Sequence, residues 1–185
     1  VSHTRSTDTD NTALGWTLRL EEEKGLDPAV SAARAFYAPV LGNDSVRGLL
    51  NGEPIGHALH PLMTDLPLGL WISATTLDLV GGRSAEKAAD RLLGLGVLAA
   101  LPTALTGAAD WFSGNRRVQR VGLVHAALNG VGLGMYAGAY LLRKKGRRRL
   151  GKAVVLAAGA VVGVSGYLGG HMTLVQGYPE GGLAD

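Results

Sequence analysis

Residues 56–80 read GHALHPLMTDLPLGLWISATTLDLV. Two histidines, His57 and His60, stand three positions apart, a proline follows at once, and the chain from Pro61 to Val80 is almost wholly apolar. Some 20 residues of helix rise about 30 Å, the thickness of a bilayer's hydrocarbon core. Pro61 suits a helix start, where a missing N–H loses no partner. At helical spacing, positions 57, 60, 64, 67, 71, 75 and 78 share one face, and they hold His, His, Thr, Pro, Trp, Thr and Asp. A polar stripe on an apolar helix of this length must turn from lipid into a bundle. Asp65 falls off that face, which gives it a structural or supporting role.

Three more apolar segments follow, at about 89–109, 121–142 and 153–170, joined by short charged loops. A soluble bundle needs a water-facing polar stripe on every helix, and the second and fourth segments have almost none. The expected fold is all-α: a four-helix antiparallel transmembrane bundle over 56–177, after a mostly polar extension of residues 1–55 and before a tail, 178–185. Residues 1–25 offer little apolar surface to bury and are expected to be loosely attached. Asp27 as N-cap and Pro28 behind it predict a short helix over 28–38, ended by Pro39. Its Ala29, Ala33, Phe36 and Val40 form an interfacial or docking stripe, or the face by which the helix packs on its own domain.

The 185 residues suffice for one domain. They include no cysteine, which excludes disulfides, thiolate zinc sites, Cys-ligated iron–sulfur clusters and Cys nucleophiles. The net charge of +3 is small and the basic residues are clustered, a pattern of membrane topology and not of nucleic-acid binding. The first twenty residues hold no apolar h-region, so no signal peptide is expected. Arg83, Lys87, Arg91 and the seven basic residues of RKKGRRRLGK (143–152) share one end of the bundle; Arg47, Arg116, Arg117 and Arg120 share the other. Ten against four makes the RKKGRRR end cytoplasmic and puts the polar extension outside the cell membrane. The RKKGRRR run suits anionic headgroups, but topology alone accounts for it.

The same topology brings His57, His60, His125 and His171 to one depth at the outer end, and none to the inner end. Thr103, Thr106 and Asp110 share a face of the second helix, His125 and Asn129 of the third, Tyr167 and His171 of the fourth. These stripes point to a polar half-cavity. The leading reading is a b-type haem electron carrier, since haem iron accepts imidazoles from two helices of a bundle. Its candidate ligands are His60, His125 and His171, with His57 as alternative and Asn129 and Tyr167 beside them. The small residues a porphyrin needs are present at Gly107, Gly130, Gly132, Gly134, Gly163, Gly166, Gly169 and Gly170, although close helix packing or a homo-oligomer contact explains them equally. A non-haem metal on His60, His125, His171 and Asp110 is a second candidate, and a hydrogen-bonded cluster without cofactor a third. The functional alternative to a redox protein is an accessory subunit whose N-terminal segment docks a larger complex. At the inner end, Asp78 and Arg91 are expected to form an ion pair that fixes the first hairpin, with Asp90 as competitor.

The stretches GHALHPLMTDLPLGLW (56–71), LDLVGG (77–82), AADRLLGLGVLAALPTALTGAADW (88–111), RVGLVHAALN (120–129) and GYLGGHMTLVQG (166–177) resemble a bacterial membrane-protein family, domain of unknown function (DUF) 2231. The resemblance covers about 47–177 and keeps the family's order of histidines, prolines and aspartates; Ala58 departs from the family's usual proline. It implies four transmembrane helices. Some relatives carry a fused Rieske-type domain, which implies electron transfer by association. In a chain without cysteine, such an iron–sulfur partner, or a quinone, would be a separate molecule.

Overall fold

The structure, a computed structural model, describes residues 13–178. His3 and the tail from 179 onward lie outside the described residues. These are all-helical: α1 (Ala13–Glu22), α2 (Asp27–Leu41), α3 (Asp44–Asn51), α4 (Leu59–Val80), α5 (Glu86–Ser113), α6 (Arg116–Lys144) and α7 (Arg148–Leu174). The four long helices form two hairpins, α4–α5 and α6–α7, packed chiefly through α5 and α6. Each exceeds its apolar segment at one or both ends. Hydropathy marks only the stretch that avoids water, whereas helical hydrogen bonding runs on into the charged flanks.

The two hairpins are copies of one another. Residue n of α4 matches n + 65 of α6, so Pro67, Trp71, Ala74 and Asp78 correspond to Gly132, Tyr136, Ala139 and Arg143. Residue n of α5 matches n + 62 of α7, and all six buried positions of α7 (Gly151, Val155, Ala158, Ser165, Leu168 and His171) correspond to buried positions of α5 (Ala89, Leu93, Gly96, Thr103, Thr106 and Ala109). Equivalent residues also meet. Trp71 stacks on Tyr136 with centroids 4.0 Å apart and planes 16° from parallel, and Asp78 pairs with Arg143. Contact between equivalents is what a two-fold axis produces, so a pseudo-two-fold axis runs along the bundle between α4 and α6. The aromatic pair is the centre of the core, with Ala74, Leu93, Ala139, Val155 and Ala158 around it. It is worth about 0.5–1.5 kcal/mol beyond its buried area.

Outward faces are apolar. Leu66, Ile72, Leu98, Leu105, Val131, Leu156 and Val164 are all exposed. Two helical segments, 83–113 and 148–174, are long and apolar enough by composition to cross a membrane, with 33% and 22% of their apolar stretches buried. A core helix of a soluble protein would be mostly buried. α4 and α6 are less apolar, α4 through its polar stripe and α6 through its glycines, His125 and Asn129.

Helices α1–α3 cap one end of the bundle, where α1 packs on α6 and α2 and α3 on α5. Residues 13–25, expected to be loose, are therefore ordered: their polarity is spent on Arg120, Arg117 and His171. Asp27 does not cap α2 but gives its carboxylate to Arg120, at 2.8 and 2.9 Å. α2 runs through Pro39 to Leu41, because a proline in the last turn removes only its own N–H bond. Phe36 and Val40 face outward, 77% and 58% exposed.

Candidate functional site

His60 stands in the first turn of α4 and leans on α5. Its Nδ1 donates to the Thr103 carbonyl at 3.0 Å, which also accepts the Thr106 hydroxyl at 2.8 Å. The Thr103 hydroxyl reaches the Met63 carbonyl at 3.1 Å. That carbonyl is free because Pro67, four residues on, has no N–H to offer it. One threonine thus satisfies a proline-induced orphan and presents the carbonyl that fixes the imidazole. The ring lies over Gly107, where a Cβ would stand 2.7 Å from Cε1.

His125 repeats the arrangement. Its Nδ1 donates to the Ser165 carbonyl at 2.8 Å, and the Ser165 hydroxyl donates to the His125 carbonyl at 2.9 Å. The ring lies over Gly169, where a Cβ would stand 3.2 Å from Cε1. Thr103 with Gly107 and Ser165 with Gly169 are equivalent pairs, as are the two histidines. Each hairpin therefore seats an imidazole on a glycine of its second helix and holds Nδ1–H on a backbone carbonyl four residues earlier. An Nδ1–H bond of this kind fixes the tautomer and leaves Nε2 with its lone pair. For His60 no partner of Nε2 is present among the described residues. His125 Nε2 accepts the Asn129 amide at 3.0 Å.

His171 is held apart from this pair. It is 4% exposed and its Nε2 lies 2.6 Å from Glu21 Oε1 of the cap, while its Nδ1 is buried without a partner. Its equivalent in the first hairpin is Ala109, so it does not share the two-fold arrangement. Tyr167 is 43% exposed and stacks on Trp16 of α1. His57 is exposed ahead of α4, and Asp65 is exposed as its position off the stripe implied. Asp110 is buried at the end of α5, where the Tyr178 hydroxyl donates to its backbone carbonyl. Among the described residues no three of His, Asp and Glu come together as a metal-holding group. Of the flanking glycines, Gly107 and Gly169 seat the imidazoles and Gly132 takes Val162, while Gly130, Gly134, Gly163, Gly166 and Gly170 face open space.

The cap is tied to the bundle by charge. Arg120, 7% exposed, donates to both Asp27 oxygens and to the Glu21 carbonyl at 2.7 Å. Those hydrogen bonds hold the Asp27 carboxyl below its ordinary pKa. Arg34 reaches the Phe112 carbonyl at 2.5 Å and covers the Phe112 ring.

At the opposite end the expected Asp78–Arg91 pair is not formed. Asp78, its side chain 4% exposed, meets Arg143, Arg148 at 3.0 Å and Lys152 at 3.6 Å; Asp90 meets Arg143 at 3.2 Å and Arg148 at 2.8 Å. Arg91, next to Asp90 in sequence, is exposed and takes no part in this cluster. The hairpin is tied by the basic loop of the other hairpin, because the two-fold axis brings Arg143 opposite its equivalent, Asp78. Sequence spacing within one hairpin carries no trace of that pairing.

No curated protein and no solved structure matches the chain. The profile of the family described as "Predicted membrane protein (DUF2231)" matches residues 56–179, the two duplicated hairpins that carry His60 and His125. The match takes in well over half of the 185 residues. The chain belongs to that family.

Proposed function

We propose that this protein crosses the membrane four times and carries a b-type haem between its hairpins, on His60 and His125, as a one-electron carrier. The observation that supports the reading is the equivalent seating of these two imidazoles, each on a glycine with Nδ1–H on a carbonyl four residues earlier, about the pseudo-two-fold axis. A group on that axis meets both rings alike. Two imidazoles and no third donor suit a tetrapyrrole iron, which brings four ligands of its own; zinc and non-haem iron ask the protein for three or more. The donor set fits: both Nδ1 atoms are committed to carbonyls, His60 Nε2 is not hydrogen-bonded, and His125 Nε2 needs only the Asn129 amide to turn away. The haem would supply a reversible one-electron couple. The protein would orient the imidazoles through Thr103 and Ser165, keep water off them with the cap, and set their basicity through the two carbonyls.

The outward apolar faces of all four long helices support the four-span placement, and the ten-to-four basic asymmetry supports a cytoplasmic RKKGRRR loop. The outward Phe36 and Val40 would place α2 in the outer interface, and a quinone or an iron–sulfur protein at that surface would exchange electrons with the site. A second reading, an accessory subunit without cofactor, draws on the same exposed apolar surface of α2 and α3, where Leu49 is 62% exposed.

The test is haem content. The full chain, produced with ample haem, is expected to show a Soret band that His60→Ala and His125→Ala lose and that His57→Ala and His171→Ala keep. Equal retention in all four variants, or no haem in the wild type, would overturn the haem reading and favour the accessory subunit.

A further inference from the structure

The seam between α5 and α6 opens at the basic-loop end into two joined cavities. The upper, about 360 Å³, is lined by Lys87, Asp90 and Arg91 of α5 and by Tyr140 and Lys144 of α6. The lower, about 670 Å³, shares Arg91 and Tyr140 with it and continues along Gly94, Leu98, Ala137 and Leu141. The upper chamber has surplus positive charge. Asp90 is already countered by Arg143 and Arg148. Lys87 and Arg91 meet no carboxylate among the described residues, and Lys144 lies over the Tyr140 ring at 5.2 Å. The lower chamber offers only apolar wall below the arginine.

We propose that this seam binds one anionic phospholipid, its phosphate among Lys87, Arg91 and Lys144 and an acyl chain along Gly94 and Ala137. Cations at headgroup level above an apolar slot match the two halves of such a molecule. The duplicated fold supplies an internal comparison, because the equivalent seam lies between α7 and α4, which pack less closely than α5 and α6. There Arg149, Lys152, Ala153, Leu79 and Thr75 stand where this seam has Lys87, Asp90, Arg91, Lys144 and Tyr140, and Leu156 fills the place of Gly94. A basic loop needs only positive charge at this end; it does not need three cations on one seam against two on its twin, where Lys152 is already held by Asp78. The proposal rests on the membrane placement and not on the haem, so a haem-free preparation gives the same result.

The experiment counts lipid on the purified full chain by native mass spectrometry, with phosphatidylglycerol or phosphatidylcholine added to the micelles. One phosphatidylglycerol is expected to be retained in preference to phosphatidylcholine. The double variant Arg91→Gln with Lys144→Gln should weaken retention about thirtyfold, roughly a factor of five for each charge removed. Ala137→Trp should abolish it with no change of charge, and decides the matter if the double variant fails to fold. Arg149→Gln, in the twin seam, should leave it intact. Equal retention of the two lipids, full retention in both seam variants, or displacement by millimolar inorganic phosphate would overturn the proposal.

Discussion

Arg143→Met tests whether the two-fold axis, and not the loops, holds the hairpins together. The Arg143 side chain is fully buried, and it bonds Asp78 of α4 and Asp90 of α5 at once. Asp78, Asp90 and Glu86 balance Arg143, Arg148 and Lys152 within the cluster. Removing one guanidinium breaks two charge-assisted hydrogen bonds, at about 1.5–3 kcal/mol each, and leaves an excess buried carboxylate. Arg148 and Lys152 still reach Asp78, at 3.0 and 3.6 Å, and Arg148 still reaches Asp90 at 2.8 Å, so the loss falls short of the sum. The expected cost is about 3 kcal/mol, or roughly 6–12 °C in the melting temperature of a chain this size. Thermal unfolding in detergent, followed by aggregation onset and by helix content, measures it. Arg91→Met is the control: Arg91 is exposed and is expected to change the midpoint by less than about 0.5 kcal/mol. If the two variants melt together, the buried network does not carry the hairpin interface.

Glu21→Ala strips His171 of the one side-chain partner it has among the described residues and should destabilise by about 1–3 kcal/mol, read as faster proteolysis of the cap; an unchanged cleavage rate would mean that the pair is incidental. Gly107→Ala, whose Cβ would stand 2.7 Å from His60, should cost about 1–3 kcal/mol by overpacking, and Gly169→Ala, at 3.2 Å from His125, less; melting curves in the reverse order would contradict the two seats. The cap should loosen in acid. The Asp27 carboxyl is held below its ordinary pKa, so its contribution is complete above the unfolded value of about 3.9 and fades as the pH falls through the folded one. Hydrogen exchange at residues 14–26 should therefore stay constant from pH 7 to about 5, after correction for the intrinsic rate, and rise below about 4.

The inward stripe of α4 was legible from spacing alone. Pro67 and Trp71 are buried and Asp78 is closed into the ion network, whereas His57, the first member of the series, is exposed. Thr103 and Thr106 are likewise buried, and His125 with Asn129 is hydrogen-bonded as their shared face implied. Hydropathy and helical period govern such features, and both are local. Ser165 escaped notice because its role depends on a carbonyl and hydroxyl meeting His125 from another helix. The duplication was also hidden. A self-comparison at a shift of 65 aligns His60 with His125, Leu68 with Leu133, Gly69 with Gly134, Ala74 with Ala139, Leu77 with Leu142 and Gly81 with Gly146, but most other matches pair one apolar residue with a different one, which any two apolar helices do. The shift then falls to 62 across the hairpin turn, which breaks any single register. Asp78 with Arg143 shows why: a two-fold axis asks for complementary equivalents, so opposite charges and different aromatics are favoured over identity. His171 misled because depth in a bundle is readable from sequence, whereas the cap helix that claims a side chain is not.

The most direct test of the central claim is rescue of His60→Gly and His125→Gly by free imidazole. Each deletion leaves a ring-sized gap over a glycine, bounded by the Thr103 or Ser165 carbonyl. The absorption spectrum of the haem-supplied protein, oxidised and reduced, is recorded with and without imidazole. A centre shared between two equivalent histidines predicts that both variants lose the wild-type spectrum and that imidazole restores it in both. A wild type without haem absorption, or a spectrum that survives either deletion without imidazole, would contradict it.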